Sequence, residues 1–276
     1  MKNMSEHLIT KPFAELIERN EKIVFSSNDV ITESRLIGKL RYIWCWIVVS
    51  FLVLVFVPIL IAIYRFKKNR EGYFNWCDWG GRVWMKSAGA EIIVKGKENL
   101  KEDESYVFIS NHRSYLDTAA LYCYSGKRMG LVGKKELLKV PIFGYGMGIA
   151  NIIAIDRGNP KKAIESMQKA RKVMDDGYSF GVFAEGGRAY PHELFPFKKG
   201  AFHLALQTGA PIIPVAIKNT DWMMGKKRGV AYAGTIEMVL LPPIETKDLE
   251  TKDLMDLLKK VREMIAEELS LGSCES

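Results

Sequence analysis

The stretch Ser110-Asn111-His112-Arg113-Ser114-Tyr115-Leu116-Asp117 sets an imidazole and a carboxylate five residues apart. On one continuous helix such residues point about 140° away from each other and cannot touch. They meet only if a helix begins between them. Ser114, followed three residues later by Asp117 and then by an apolar run, has the form of a capping box, with Ser114 as N-cap and Asp117 at N3. The loop then folds His112 back over the first helical turn, within reach of the carboxylate. A carboxylate so placed fixes the imidazole tautomer and stabilises the imidazolium formed when the ring takes a proton, which is the arrangement of a general base. The two residues also fit a simpler reading, a cap partner and a loop histidine. The base reading therefore requires a substrate site around it.

The elements that must position this pair follow from periodicity. Tyr106 to Ile109 reads as a strand running into the loop, and Thr118 to Tyr122 as the start of a helix. Further strands are expected at Ile92 to Val94, Met129 to Val132, Ile152 to Ile155, Phe180 to Phe183 and Ile212 to Ile217. Helices lie between them, one after Asn159-Pro160, where Asn caps and Pro takes the first turn. Leu254, Leu257, Leu258, Val261, Ile265 and Leu269 mark a long amphipathic helix that closes the core. The alternation defines an α/β domain over residues 91–276.

Three more clusters follow strands of this domain: Gly133-Lys134-Lys135-Glu136, Ile155-Asp156-Arg157-Gly158 and Phe183-Ala184-Glu185-Gly186-Gly187-Arg188. Loops at strand ends are where α/β folds keep their chemistry. A common rim would carry Lys134 or Lys135, Arg157, Glu185, Gly186 and Arg188 beside His112. Arginine suits bidentate phosphate binding, and glycine lets backbone N–H groups approach an anion. Taken singly, each basic residue also fits a solvated surface charge, and Glu185 an ion-pair partner that orients Arg188.

The chain has 276 residues, a formal charge of +8 and a pI near 9.1, a balance that favours an anionic partner. Ile43 to Tyr64 gives 22 residues without a charge, interrupted by Pro58. As a helix this is about 33 Å long, enough to cross a hydrocarbon core. Trp44, Trp46, Trp76, Trp79 and Trp84 gather at or beyond its ends, as side chains of a bilayer interface do. Residues 41–90 are therefore expected to anchor the chain in a membrane. Basic residues flank the run on both sides, so a spanning helix and a shallow hairpin both remain open, with a slight preference for a cytoplasmic catalytic domain. Residues 1–40 form an extension with one amphipathic helix, Phe13 to Ile23, and no secretory signal opens the chain. Cys45, Cys77, Cys123 and Cys274 are scattered without Cys-x-x-Cys spacing, so no zinc site or disulfide framework is expected. Nucleic acid is a poor candidate partner, because the tryptophans cluster at the apolar segment and not among the basic residues.

In their order and spacing these motifs resemble the glycerolipid acyltransferase family, the 1-acyl-sn-glycerol-3-phosphate acyltransferases and their relatives. Asn111-His112-x-x-x-x-Asp117 is similar to the first family motif. Lys134-Lys135-Glu136-Leu137 with Pro141 and Ile155-Asp156-Arg157 is similar to the second. Phe183-x-Glu185-Gly186-x-Arg188 resembles the third, and Phe197-Lys198-Lys199-Gly200 with Gly209 to Val215 the fourth. Ala184, Gly187 and Ala189 stand where the family usually carries Pro, Thr and Ser. The resemblance implies a mixed sheet flanked by helices, and transfer of a fatty acyl group from acyl-CoA or acyl carrier protein to the hydroxyl of a lysophospholipid such as lysophosphatidic acid. His112 would be the base and Asp117 its orienter. Lys134 or Lys135, Arg157 and Arg188 would hold the phosphate, and Glu185 would order that site. The thioester is a substrate, and no metal or redox cofactor is marked. A different acceptor, a thioesterase and a non-catalytic lipid-binding protein are the rival readings. The first is kept open by the changed third motif. A serine hydrolase is disfavoured because the chain has no Gly-x-Ser-x-Gly elbow.

Overall fold

The computed structural model describes residues 13–26, 29, 31–67, 70–134, 141–155 and 160–271. A seven-stranded mixed sheet forms the centre. Its strands are β2 (Ala90–Lys95), β3 (Val107–Ser110), β4 (Met129–Lys134), β5 (Ile152–Ile155), β6 (Ser179–Phe183), β8 (Ile212–Lys218) and β9 (Gly234–Leu240). They lie in the order β2-β9-β8-β3-β6-β4-β5, with every pair parallel except β8 and β9. The short pair β1 (Ile23–Val24) and β7 (Glu193–Leu194) stands apart.

Side chains alternate across each strand, so successive residues feed opposite layers. Val107 and Ile109 face one apolar cluster, with Phe202, Val261 and Ile265. This layer holds α7 (Pro160–Asp175), α8 (Gly200–Thr208) and α10 (Leu254–Ser270). Phe108 faces the other cluster, with Leu121 and Met223. That layer contains α5 (Leu116–Tyr124) and α9 (Thr220–Met224). β9, which periodicity does not reveal, has Glu237 mid-strand, and the charge is met there by Lys95 at 2.9 Å and Lys218 at 3.5 Å.

The parallel register aligns the site. Ser110 at the end of β3 pairs with Phe183 at the end of β6 and with Val215 of β8. Residues 111–112 and 184–185 therefore leave the sheet side by side.

The apolar segment is helical from Arg35 to Phe66. It comprises α2 (Arg35–Phe51), a π-helical stretch (Leu52–Phe56) and α3 (Val57–Lys67). The wide turns coincide with Pro58, whose ring clashes with the carbonyl four residues earlier, at Leu54; a π-bulge relieves that clash. The chain returns through α4 (Arg70–Ser87). The start of α2 is fixed to the α/β domain: Ala231 donates to the Gly38 carbonyl at 2.9 Å and Cys45 is buried. The end of α4 leads straight into β2. Both ends of the hairpin thus belong to one domain. Leu36, Leu40, Ile43, Ile47, Phe51 and Leu54 form an exposed apolar stripe along it, and Leu54 is 73% exposed.

The amphipathic helix expected from Phe13 to Ile23 is shorter. α1 is Phe13–Glu18, and the chain then turns into β1. The segment is part of the core: Ile17 and Ile23 are buried with the α10 residues, Arg262 donates to the Glu21 carbonyl, and Lys259 pairs with Glu18 at 2.7 Å. Replacing fully buried Ile23 by Ala is expected to cost about 2–5 kcal/mol in denaturant unfolding in detergent. A cost below about 1 kcal/mol would show that this segment does not contribute to the core.

Candidate active site

His112 and Asp117 meet as their spacing requires. His112 Nδ1 lies 2.9 Å from Asp117 Oδ2. The same oxygen accepts the backbone N–H groups of Arg113 at 2.6 Å and Ser114 at 2.7 Å. The helix starts at Leu116, one residue later than a Ser114 cap predicts, yet Ser114 still works as a cap, its Oγ accepting from Leu116 N at 3.2 Å. Asp117 is fully buried, while the His112 side chain keeps 15% exposure. A buried carboxylate on Nδ1 favours the tautomer protonated there and leaves the Nε2 lone pair free. Phe183 stacks on the imidazole with centroids 4.1 Å apart, which fixes the ring plane.

Glu185 does not pair with Arg188. Its Oε1 accepts the His112 backbone N–H at 2.5 Å and its Oε2 accepts that of Phe195 at 2.7 Å. The carboxyl therefore braces the His112 loop from beneath. Burial pushes it up to about 8, against the pull of those two amides and of Arg113. Ala189 N completes the brace by donating to the His112 carbonyl at 2.7 Å. Asn111 ties the loop to β8, donating to Ile217 O at 2.9 Å and accepting from Ile217 N at 2.8 Å. Arg113 is buried and points away from the rim, with Nε on Glu193 O at 2.8 Å and Nη1 on Asp221 at 3.1 Å. Burial works against the Asp221 charge, but Arg113 and the His192 amide hold its carboxyl below the usual range.

Arg188 stays on the rim, with its guanidinium 3.6 Å above the Tyr115 ring and no carboxylate partner among the described residues. Gly186 has φ +70°, a left-handed conformation, and a Cβ there would strike the Lys198 side chain at 2.7 Å. The alkyl chain of Lys198 therefore lies across the glycine. Lys226 donates to the Arg188 carbonyl at 2.5 Å and sits 4.3 Å from the Tyr190 ring centroid. Sequence reasoning missed Lys226 and the partnership of Tyr115; the run Gly225-Lys226-Lys227-Arg228 was the available signal. Lys134 ends β4 on this same edge of the sheet, while Lys135 and Arg157 lie outside the described residues. Among the described residues no cluster of His, Cys, Asp and Glu could hold a metal ion. The altered positions of the third motif are partly internal: Ala184 and Ala189 are buried, and only Gly187 is partly exposed.

Comparison with known proteins agrees with this geometry. Residues 91–218 match the profile of the family described as Acyltransferase. The chain is 35% identical over 184 residues to the 1-acyl-sn-glycerol-3-phosphate acyltransferase of Saccharomyces cerevisiae, a match covering 66% of this chain and 60% of that protein. It is 34% identical over 228 residues to the protein of the same name from Limnanthes alba, covering 79% and 78%. The match to the alpha form from Mus musculus is 34% over 176 residues, covering 63% and 62%. The matched stretch thus spans about three fifths of the length of the yeast and mouse relatives. Among solved structures, the fold is similar to that of PlsC from Thermotoga maritima, titled a 1-acyl-sn-glycerophosphate (LPA) acyltransferase. The TM-score is 0.74 at 19% identity, covering 87% of this chain and 99% of that one.

The buried brace has a pH signature. Folding takes up a proton at Glu185 between its ordinary 4.5 and about 8. The stability this group contributes is full below about 4.5 and is lost as pH rises through about 8. Thermal unfolding of the parent and of Glu185→Gln across this window should show the parent's relative stability falling as pH rises. A relative stability that grows with pH would contradict the assignment.

Proposed function

Because this chain belongs to the 1-acyl-sn-glycerol-3-phosphate acyltransferase family, we propose that it moves a fatty acyl group from a thioester, acyl-CoA or acyl carrier protein, to the free hydroxyl of lysophosphatidic acid, forming phosphatidic acid. One observation carries the reading. The Asp117-anchored imidazole opens onto the rim where Arg188 stands without an acidic partner among the described residues.

The chemistry needs little more than this. A thioester is already activated, so no enzyme nucleophile is required. His112 Nε2 takes the hydroxyl proton as the acceptor oxygen attacks the thioester carbonyl, and Asp117 stabilises the imidazolium. Collapse of the tetrahedral intermediate expels the thiolate, which takes the proton back from His112. Arg188 binds the acceptor phosphate through its in-plane N–H groups, with Lys198 and Lys226 as further cations of the rim, and the family resemblance assigns Lys134, Lys135 and Arg157 to the same phosphate. Glu185 holds the backbone of His112 in register and touches neither substrate. Since Ala184 and Ala189 are internal, their departure from the family pattern argues for no other acceptor; Gly187 alone leaves the headgroup choice to experiment.

The hairpin explains how a two-tailed product is handled. Its ends join one domain, and its exposed stripe runs along its length, so the segment lies in the bilayer interface and does not carry the chain across. The basic flanks, Arg35, Lys39 and Arg41 before the run and Arg65, Lys67 and Lys68 after it, favour the cytoplasmic face.

Acyl transfer from acyl-CoA to lysophosphatidic acid in detergent micelles is expected from the parent protein, and to fall by about 10²–10⁴ in His112→Ala. Equal product from both would refute the base, and product only from another lysolipid would change the acceptor. The double variant Ile43→Asp, Ile47→Asp is expected to float with anionic vesicles at least about tenfold less than the parent. Undiminished flotation would exclude the stripe as the membrane contact.

A further inference from the structure

Tyr115 occupies the third position after His112, at the start of α5, and is 40% exposed. Among the described residues its ring has two partners. On one face lies the Arg188 guanidinium, 3.6 Å from the centroid. At its edge stands Trp46 of α2, with centroids 5.6 Å apart and planes at 85°. Trp46 itself lies among the exposed apolar residues of the hairpin, beside Ile43 and Ile47.

A guanidinium can be oriented by a carboxylate or by an aromatic face, and the two choices differ in consequence. A carboxylate consumes two N–H donors and cancels the charge. A ring takes only the flat face, so the charge and the in-plane donors stay available to a bidentate anion. Arg188 has the second arrangement, since no carboxylate among the described residues pairs with it. Among the described residues the tyrosine hydroxyl makes no hydrogen bond, so the ring is the functional part. The Trp46 contact then makes the pose of this ring depend on how α2 is seated.

We propose that Tyr115 is the positioning residue of the phosphate site: it holds Arg188 flat and uncompensated for the acceptor's phosphomonoester, and Trp46 links that pose to the interfacial hairpin. The proposal rests on the lysophosphatidic acid reading for its substrate, but the stack and its anion can be tested without turnover.

The kinetic test compares the parent with Tyr115→Leu, Tyr115→Phe and Trp46→Leu. The acceptor KM should rise about tenfold in Tyr115→Leu, with kcat and the acyl-donor KM changed less than about twofold. Tyr115→Phe should restore the parent acceptor KM, and Trp46→Leu should move it in the same direction as Tyr115→Leu by a smaller factor. An unchanged acceptor KM in Tyr115→Leu, an equal defect in Tyr115→Phe, or a loss confined to kcat would each overturn the proposal. The second test follows the Arg188 side-chain N–H resonance in arginine-labelled protein, assigned with Arg188→Lys, as inorganic phosphate is added. The parent and Tyr115→Phe should show an upfield ring-current position and a phosphate-dependent shift. Tyr115→Leu should lose the first and need about tenfold more phosphate for the second. If the parent forms no phosphatidic acid yet this resonance behaves as described, the substrate reading fails and the ring-held anion site stands. If phosphatidic acid forms but the resonance is the same in Tyr115→Leu, the proposal fails alone.

Discussion

One carboxylate oxygen governs the loop from His112 to Asp117. Asp117 Oδ2 receives the backbone N–H groups of Arg113 and Ser114 and lies 2.9 Å from Nδ1 of the His112 ring. In a fully buried position each of these donors would be costly to leave unpaired, so the loop has one satisfied conformation. The helix start and the His112–Asp117 geometry are thus the same structure. Removing the carboxylate takes away the imidazole's anchor and the helix's first-turn acceptor together.

That loop still has to be aimed, and the sheet does this by register. Pairing of Ser110 with Phe183 delivers His112 and Glu185 to neighbouring positions two residues beyond the strands. Glu185 then spends its polar atoms on the His112 and Phe195 amides and not on substrate. Phe183, the last residue of β6, lies against the imidazole face. The third motif therefore contributes an internal half, Glu185 with Ala184 and Ala189, and an external half, Gly186, Gly187 and Arg188. Substitutions in the internal half act on the loop's geometry, and those in the external half change the exposed rim.

What could be read from the sequence was local in the chain. The His112–Asp117 meeting follows from a five-residue spacing and a helix start, and the strands feeding the site are short apolar runs. Distant partnerships left no such trace. Glu237 disguises β9, because its neutralising lysines come from other strands. Ile17 and Ile23 looked like part of a separate extension, since their packing partners on α10 lie some 240 residues further on, the separation of the Arg262–Glu21 bond being 241. Glu185 read as a partner for the nearby Arg188, and only the fold shows that its oxygens are already used by backbone donors. The attachment of α2 and α4 to the α/β domain likewise rests on contacts such as Ala231 with Gly38, which hydropathy does not record.

The most direct test of the central claim is the protonation pattern of His112. Long-range ¹⁵N–¹H correlation on histidine-labelled protein in micelles distinguishes the ring nitrogens, and with four histidines in the chain a His112→Gln variant assigns the signal. The Asp117 anchor predicts the Nδ1–H tautomer, bonded to that carboxylate, with an unprotonated Nε2 facing the rim. An Nε2–H tautomer would turn the lone pair toward the carboxylate and contradict the assignment of His112 as the base.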